Sequence, residues 1–158
     1  PMRHYMVLEP AGPFLQVLTQ TVLLAILQAM LGGDFLAYQL AVDTPYFGSE
    51  FQDYHPDGMR LIDFGADPHL VEDPVFLSVN FPLVDINETN GPFEIIPRTQ
   101  HLQVAEATRL LEVGALHSVR LHMRRGDVMI RDLRTLHRGS PSHDGVPRPM
   151  AVWGFAAS

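Results

Sequence analysis

Alternating hydrophobic and polar positions are the strongest pattern in the chain. They are clearest where the odd-numbered residues of one segment share a face: Val75, Leu77, Val79, Phe81 and Leu83. Further short strands are predicted at Phe35–Val42, Phe93–Ile96, Ser118–Met123, Val128–Arg131 and within Pro147–Phe155. Turn residues such as Asn90-Gly91 separate these strands. The pattern predicts a mainly β protein, either a sandwich or a jelly roll, with flanking helices.

Two segments have helical spacing instead. The uncharged stretch over residues 10–33 contains Phe14–Leu31, which begins after Pro13 and ends before Gly32-Gly33. A membrane span or a secretory segment is the alternative for such a stretch. Because Gln and Thr residues interrupt it five times, we predict one buried helix that packs outside a sheet. Gln103–Val113 is predicted to be a second helix.

Composition narrows the possible functions. The 158 residues suit a single domain over residues 1–158, and the start at Pro1 suggests a domain trimmed at its N-terminus. A hydrophobic fraction of 46% argues against disorder. The net charge of −7, without a run of Lys or Arg, argues against a nucleic-acid or membrane partner, and we expect a cytoplasmic protein. Since there is no Cys, any metal must be bound by His and carboxylate groups.

The segment His55-Pro56-Asp57 has the residue types and the spacing of a metal site. Side chains at positions i and i+2 of an extended segment point to the same side, so an imidazole and a carboxylate can meet at one ion. Two His and one carboxylate on one face of an octahedron are typical of non-haem Fe(II) that activates oxygen. By itself, His-x-Asp is a weak signal, and Pro56 and Gly58 could simply form a turn.

The second half of the chain strengthens this interpretation. A turn at Arg125-Gly126 leads to a strand and then to His137, a candidate third ligand. Arg148 follows eleven residues later. An arginine offers a planar, permanently charged fork for the distal carboxylate of 2-oxoglutarate, although a lone Arg more often forms a surface ion pair.

Taken together, these motifs resemble the phytanoyl-CoA dioxygenase family over about residues 50–156. The resemblance rests on His55-Pro56-Asp57, the segment from Asn90 to His101, Gly126-Asp127-Val128-Met129-Ile130, His137-Arg138-Gly139-Ser140-Pro141 and Arg148. It implies a double-stranded β-helix, a jelly roll that cupins share. It also implies Fe(II) bound by His55, Asp57 and His137, with 2-oxoglutarate and O2 as co-substrates and Arg148 as the anchor. The implied reaction is hydroxylation of a C–H bond in a small organic substrate.

Other residues have weaker roles in this prediction. Gln52 and Ser140 are candidates for contact with the co-substrate, and His101 for contact with the substrate. Because the family's usual Gly-Ser-His after the Pro of this segment is here Arg98-Thr99-Gln100-His101, the substrate is not predicted. Asp57 disfavours halogenation, since related halogenases carry a small residue there. His122 is predicted to face the interior, and the remaining His are predicted not to bind metal.

Two rival functions remain open at this point. The first is a cupin-like metal-binding module or isomerase without oxygenase activity, because a fold alone does not determine a function. The second is a non-catalytic member of the same family without a substrate pocket. The pattern of residues predicts no oligomeric state.

Overall fold

Eight strands and three helices form the parts of the chain that the computed structural model describes, residues 2–57 and 76–158. The helices are α1 (Pro13–Val17), α2 (Thr21–Leu31) and α3 (Val104–Glu112). The strands are β1 (Arg3–Leu8), β2 (Phe35–Pro45), β3 (Phe76–Pro82), β4 (Phe93–Ile95), β5 (Val119–Leu121), β6 (Met129–Asp132), β7 (His137–Gly139) and β8 (Met150–Ala157).

The strands form two antiparallel sheets. The larger sheet has the order β1-β2-β8-β3-β6, and the smaller sheet has the order β5-β4-β7. Neighbours such as β2 and β8 are distant in sequence, which is how a jelly roll connects its strands. The prediction of a mainly β jelly roll with flanking helices is therefore confirmed.

One face of the larger sheet is apolar and packs against α2. Leu77 and Val79 of β3 are fully buried on this face, as the alternation in the sequence predicts. The core that they form with the helix contains Leu23, Leu27, Leu31, Leu40, Trp153 and Phe155. Val75 of the predicted strand lies outside the described residues. Most of the hydrophobic stabilisation of the larger sheet thus comes from the helix side.

The opposite face of the larger sheet is polar and lies between the two sheets. Ser78 and Arg131 are direct partners on β3 and β6, and both are buried. The sheets also meet in an apolar cluster of Ile86, Phe93, Met123 and Met150. The interior therefore has an apolar end and a polar part, and the polar part contains the candidate site.

The structure corrects the prediction of a single helix over Phe14–Leu31. The helical segment is divided into α1 and α2 by a turn. Within this turn the Thr19 hydroxyl donates a hydrogen bond to the Gln16 carbonyl at 2.8 Å, and Nε2 of the Gln20 side chain donates to the same carbonyl at 3.3 Å. Side chains that bond to nearby backbone compete with the helical ladder, which accounts for the break. Across the described residues, no helix is both long and apolar enough to span a membrane.

The prediction for His122 is also wrong. Its side chain is exposed, and its Nε2 lies 3.0 Å from Glu88 Oε2. Leu121 pairs with Phe93 and packs on the cluster between the sheets, so the next residue along the chain points outward.

The helix–sheet core leads to a stability prediction. Leu27 is fully buried between α2 and the sheet, so Leu27→Ala should lower the free energy of unfolding by about 2–5 kcal/mol. Val22 lies on the same helix but is 74% exposed, so Val22→Ala should change it by no more than about 0.5 kcal/mol. Urea titrations followed by circular dichroism measure both values. Equal losses in the two variants would contradict the packing of α2 on the sheet.

Candidate metal centre

His55 and His137 are joined through their backbones. The His55 amide donates to the His137 carbonyl at 3.0 Å, and the His137 amide donates to the His55 carbonyl at 3.1 Å. Residues that face each other across an antiparallel pair project their side chains to the same side. The two imidazole rings accordingly lie with their centroids 4.6 Å apart. The sequence therefore folds so that two distant His converge.

Asp57 completes the group two residues after His55. Its amide donates to the Leu133 carbonyl at 2.9 Å, a further backbone bond to the segment that leads to His137. One carboxylate oxygen, Oδ2, lies 3.4 Å from His137 Nε2, and the other, Oδ1, lies 4.0 Å from His55 Nε2. One potential ligand atom from each of the three side chains lies within 4.8 Å of the others. This convergence is what a common ion requires.

Hydrogen bonds orient both imidazole rings. His55 Nδ1 lies 2.7 Å from the Asp53 carbonyl, and His137 Nδ1 lies 3.0 Å from the Thr135 carbonyl. A carbonyl only accepts, so each Nδ1 carries the hydrogen in the neutral ring. Each Nε2 is then left with its lone pair toward Asp57, as metal-binding His require.

The electrostatics of the site favour the protonation states that bind metal. Burial alone raises the pKa of Asp57, but the adjacent His137 ring and the charge of Arg131 outweigh it, so this pKa lies well below its usual range. Burial and the nearby Arg131 charge lower the pKa of His137. At neutral pH the centre thus offers one carboxylate and a neutral His137 imidazole.

Arg131 is a neighbour of the site that the sequence did not reveal. Its Nη2 donates to Asp57 Oδ2, and its guanidinium carbon lies 5.6 Å from the centre of the Phe93 ring. Phe93 in turn stacks on His137, with ring centroids 5.0 Å apart. One sequence signal could have identified Arg131. It lies two positions after Met129 in the same strand, and alternation places both side chains on the inward face.

The buried carboxylate of Glu94 links side chains on the outer side of the smaller sheet. Glu94 accepts hydrogen bonds from Tyr54 at 2.9 Å, Arg138 at 2.7 Å and Arg120 at 2.7 Å. Tyr54 directly precedes one His of the site, and Arg138 directly follows the other. The backbone pair of the two His is therefore held from the outside by a shared carboxylate.

Arg148 is fully buried just before β8. Its amide donates to the Pro45 carbonyl at 3.2 Å, but its Nε, Nη1 and Nη2 have no hydrogen-bond partner among the described residues. Burial lowers the pKa of Arg148 to about 10, while Asp43 raises it and Arg3 lowers it further. A buried guanidinium without a partner is costly, and a carboxylate would satisfy its donors.

A cavity of about 740 Å³ opens beside the three candidate ligands. Arg3 and Asp43 form a 2.7 Å ion pair in its wall, and Arg3 also donates to the Ser140 carbonyl at 3.2 Å. Further lining residues are Tyr5, Gln52, Asn80, Phe93, Arg131, Met150 and Val152. Apolar side chains such as Phe93, Met150 and Val152 line part of the cavity, and polar or charged side chains line the rest.

The three residues with weaker predicted roles lie in different places in the structure. Gln52 lines the cavity, and its Oε1 accepts from the Gly139 amide at 2.8 Å. Ser140 is buried and donates its hydroxyl hydrogen to the Pro92 carbonyl, so in this arrangement it has no hydrogen left for a carboxylate. His101 is exposed and lies outside the cavity wall. Contacts of these residues with a co-substrate or substrate remain predictions.

A jelly roll with a convergent His-Asp-His group is typical of Fe(II)- and 2-oxoglutarate-dependent oxygenases. Residues 6–150 match the family model described as Phytanoyl-CoA dioxygenase (PhyH). The chain belongs to this family, as the motifs in its sequence indicated.

Solved structures share the fold at low sequence identity. EctD from S. alaskensis, with 2-oxoglutarate and 5-hydroxyectoine, is 16% identical with a TM-score of 0.76 over 99% of this chain and 56% of that one. HygX from Streptomyces hygroscopicus, with nickel and 2-oxoglutarate, is 16% identical with a TM-score of 0.74 over 100% and 71%. The carbocyclase SnoK from nogalamycin biosynthesis is 15% identical with a TM-score of 0.75 over 98% and 63%. Across these and similar structures, the chain spans from 35% to 71% of the matched length.

The lowered pKa of His137 predicts a pH dependence of the metal-free protein. In the unfolded chain His137 takes up a proton near its ordinary value of 6.5, whereas the folded protein resists protonation. Stability should therefore be full above about pH 6.5 and fall as the pH decreases toward 5. His137→Gln should lessen this fall, and His143→Gln, at an exposed position, should not. Urea midpoints between pH 5 and 8, with a chelator present, provide the measurement. The same slope in all three proteins would contradict it.

Proposed function

We propose that this chain is the catalytic domain of an oxygenase that hydroxylates a C–H bond of a small organic molecule. His55, Asp57 and His137 would hold Fe(II), and Arg148 would bind the distal carboxylate of 2-oxoglutarate. The observation that carries this proposal is the combination of a convergent His-Asp-His group with a buried guanidinium that has no hydrogen-bond partner in the described part of the chain. A metal site alone has no use for such a cation.

The residues present fit the groups that the class requires. Two neutral imidazoles and one carboxylate suit Fe(II), and three protein ligands leave room for a chelating co-substrate and O2. When bound, Fe(II) and 2-oxoglutarate supply the oxidation of a C–H bond by O2, with succinate and CO2 as co-products. The protein supplies binding, orientation and the electrostatic environment.

The residues of the chain would contribute in three ways. Arg148 would bind one end of the co-substrate through two parallel N–H···O bonds and so fix which end faces the metal site. The apolar wall with Phe93, Met150 and Val152 would limit water near the reacting atoms. The hydrogen bonds at each Nδ1 would keep the imidazoles in one orientation while substrate and product exchange.

The main alternative is a cupin-like metal-binding module or isomerase on the same fold. Proteins of similar fold widen the range of reactions to be considered, since they include a protein described as an epimerase, SnoN, and the carbocyclase SnoK. The alternatives share the metal centre but differ in products. Oxygenase turnover must release succinate, and hydroxylation must in addition leave one oxygen atom on the substrate.

Product analysis tests the reaction type. Purified protein with Fe(II), 2-oxoglutarate and ascorbate would be incubated with a metabolite extract under ¹⁸O2, and mass spectrometry would follow succinate and oxidised products. We expect succinate together with a compound that gains one ¹⁸O atom. His137→Ala should abolish both signals. Succinate with a product that is rearranged but contains no ¹⁸O would favour epimerase-like or carbocyclase-like chemistry instead.

Arg148 separates a 2-oxoglutarate site from a plain metal site. Hydrogen bonds to charged groups contribute about 1.5–3 kcal/mol each. Arg148→Ala should therefore weaken 2-oxoglutarate binding by about tenfold to a few hundredfold. Arg148→Lys should recover only part of this loss, because an ammonium cannot form the planar fork. Anaerobic titration of 2-oxoglutarate into the Fe(II)-loaded proteins measures the effect.

Two controls sharpen this test. Arg134→Ala removes another buried arginine, one that is paired with Asp132, and should leave 2-oxoglutarate affinity unchanged. Arg148→Met replaces the buried cation with an apolar chain of similar length, so it should raise the urea midpoint of the ligand-free protein while weakening 2-oxoglutarate binding. Unchanged 2-oxoglutarate affinity in Arg148→Ala would remove Arg148 from the site and, with it, the main support for this co-substrate.

A further inference from the structure

Arg131 is a buried cation directly beside the candidate metal ligands. It lies on β6, opposite Ser78 of β3, and only 4% of its side chain is exposed. Its Nη2 bonds to Oδ2 of Asp57, while its Nε and Nη1 have no hydrogen-bond partner among the described residues. Its main polar contact is thus with the carboxylate that would bind the metal.

This placement is electrostatically unfavourable for a metal site taken alone. A guanidinium a few ångströms from a divalent cation repels it, and the repulsion is stronger in a partly buried site than in water. The guanidinium also competes with the metal for the charge of Asp57. A site selected only for tight metal binding would place a neutral hydrogen-bond donor here. The presence of a cation therefore needs a reason other than metal affinity.

The geometry of the carboxylate supplies that reason. Carboxylates bind metals through one oxygen or through both. Arg131 bonds to Oδ2, which also lies 3.4 Å from His137 Nε2. Oδ1, at 4.0 Å from His55 Nε2, has no bond to the guanidinium. Phe93 contacts both the guanidinium and the His137 ring, which limits the movement of Arg131 away from Asp57.

We propose that Arg131 is a positioning residue that holds Asp57 as a one-oxygen metal ligand and thereby keeps coordination positions open for the co-substrate. The inference rests on the proposed Fe(II) and 2-oxoglutarate site. Three single-atom protein ligands leave three positions of an octahedron, enough for a chelating keto acid and O2. A carboxylate that binds through both oxygens takes one of these positions. Arg131 thus lowers the affinity for the metal but favours binding of the co-substrate.

This role predicts that the affinities for metal and co-substrate respond differently. In Arg131→Met the repulsion disappears and Asp57 can turn both oxygens to the metal. Co(II) affinity should stay within about threefold of wild type or increase, whereas 2-oxoglutarate affinity of the Co(II)-loaded protein should fall by at least about tenfold. Arg131→Lys keeps the charge and one donor, so its 2-oxoglutarate affinity should lie between those of the other two proteins.

The experiment measures both affinities under anaerobic conditions, together with the visible d–d absorption of bound Co(II), which reports the coordination number. We expect the absorption of Arg131→Met to change before 2-oxoglutarate is added. Arg134→Met serves as the matched control, because it removes a buried arginine whose ion pair is with Asp132 and not with a metal ligand. It should leave both affinities and the absorption unchanged.

Two results would overturn the proposal. One is unchanged 2-oxoglutarate affinity in Arg131→Met. The other is a parallel loss of Co(II) affinity, 2-oxoglutarate affinity and urea midpoint, which would show a purely structural ion pair. If Arg131→Met does not fold, Arg131→Lys decides the matter by the same two criteria. If the wild type binds Co(II) but not 2-oxoglutarate, the proposed function fails by itself, and the change in Co(II) absorption still tests how Arg131 controls Asp57.

Discussion

The backbone pair of His55 and His137 is the interaction on which the site depends. Two hydrogen bonds bring together residues that are far apart in sequence, and the geometry of an antiparallel pair then places both imidazoles on one side. Asp57, two residues after His55, is held near them by a backbone bond from its amide to the Leu133 carbonyl. Convergence of the three side chains therefore follows from backbone hydrogen bonds between the two segments.

The two faces of the larger sheet have different roles: one stabilises the fold, and the other contributes to the candidate site. The face against α2 buries leucines and aromatic rings, which provide the apolar burial that stabilises the fold. The inward face can then accept a charged group such as Arg131, and Arg148 lies buried just before β8. Each has buried nitrogens with no hydrogen-bond partner among the described residues. Buried cations reduce stability, and a protein retains them when a ligand or a geometry requires them. The site is thus stabilised by an interface on the other side of the sheet.

The sequence was sufficient for those features that follow local rules. Alternation identified the buried pair Leu77 and Val79, and the i, i+2 rule identified His55 with Asp57. Features that depend on a contact with a residue distant in sequence could not be predicted. Arg131 bonds to a residue 74 positions away, and in the sequence it looks like one of several charged residues beside Asp132 and Arg134. The break between α1 and α2 was missed because side-chain competition at Thr19 outweighed the apolar periodicity.

The two-faced sheet also restricts how such a protein can change in evolution. Ser78 and Asn80 face the interior, while Leu77 and Val79 face the helix, so an inserted or deleted residue within β3 would exchange the two sets. A single indel would then place hydroxyl and amide groups in the apolar core and aliphatic groups in the cavity. Selection would therefore eliminate insertions and deletions within β3. New substrate ranges have to arise from point substitutions on the inward face or from length variation in the connecting loops.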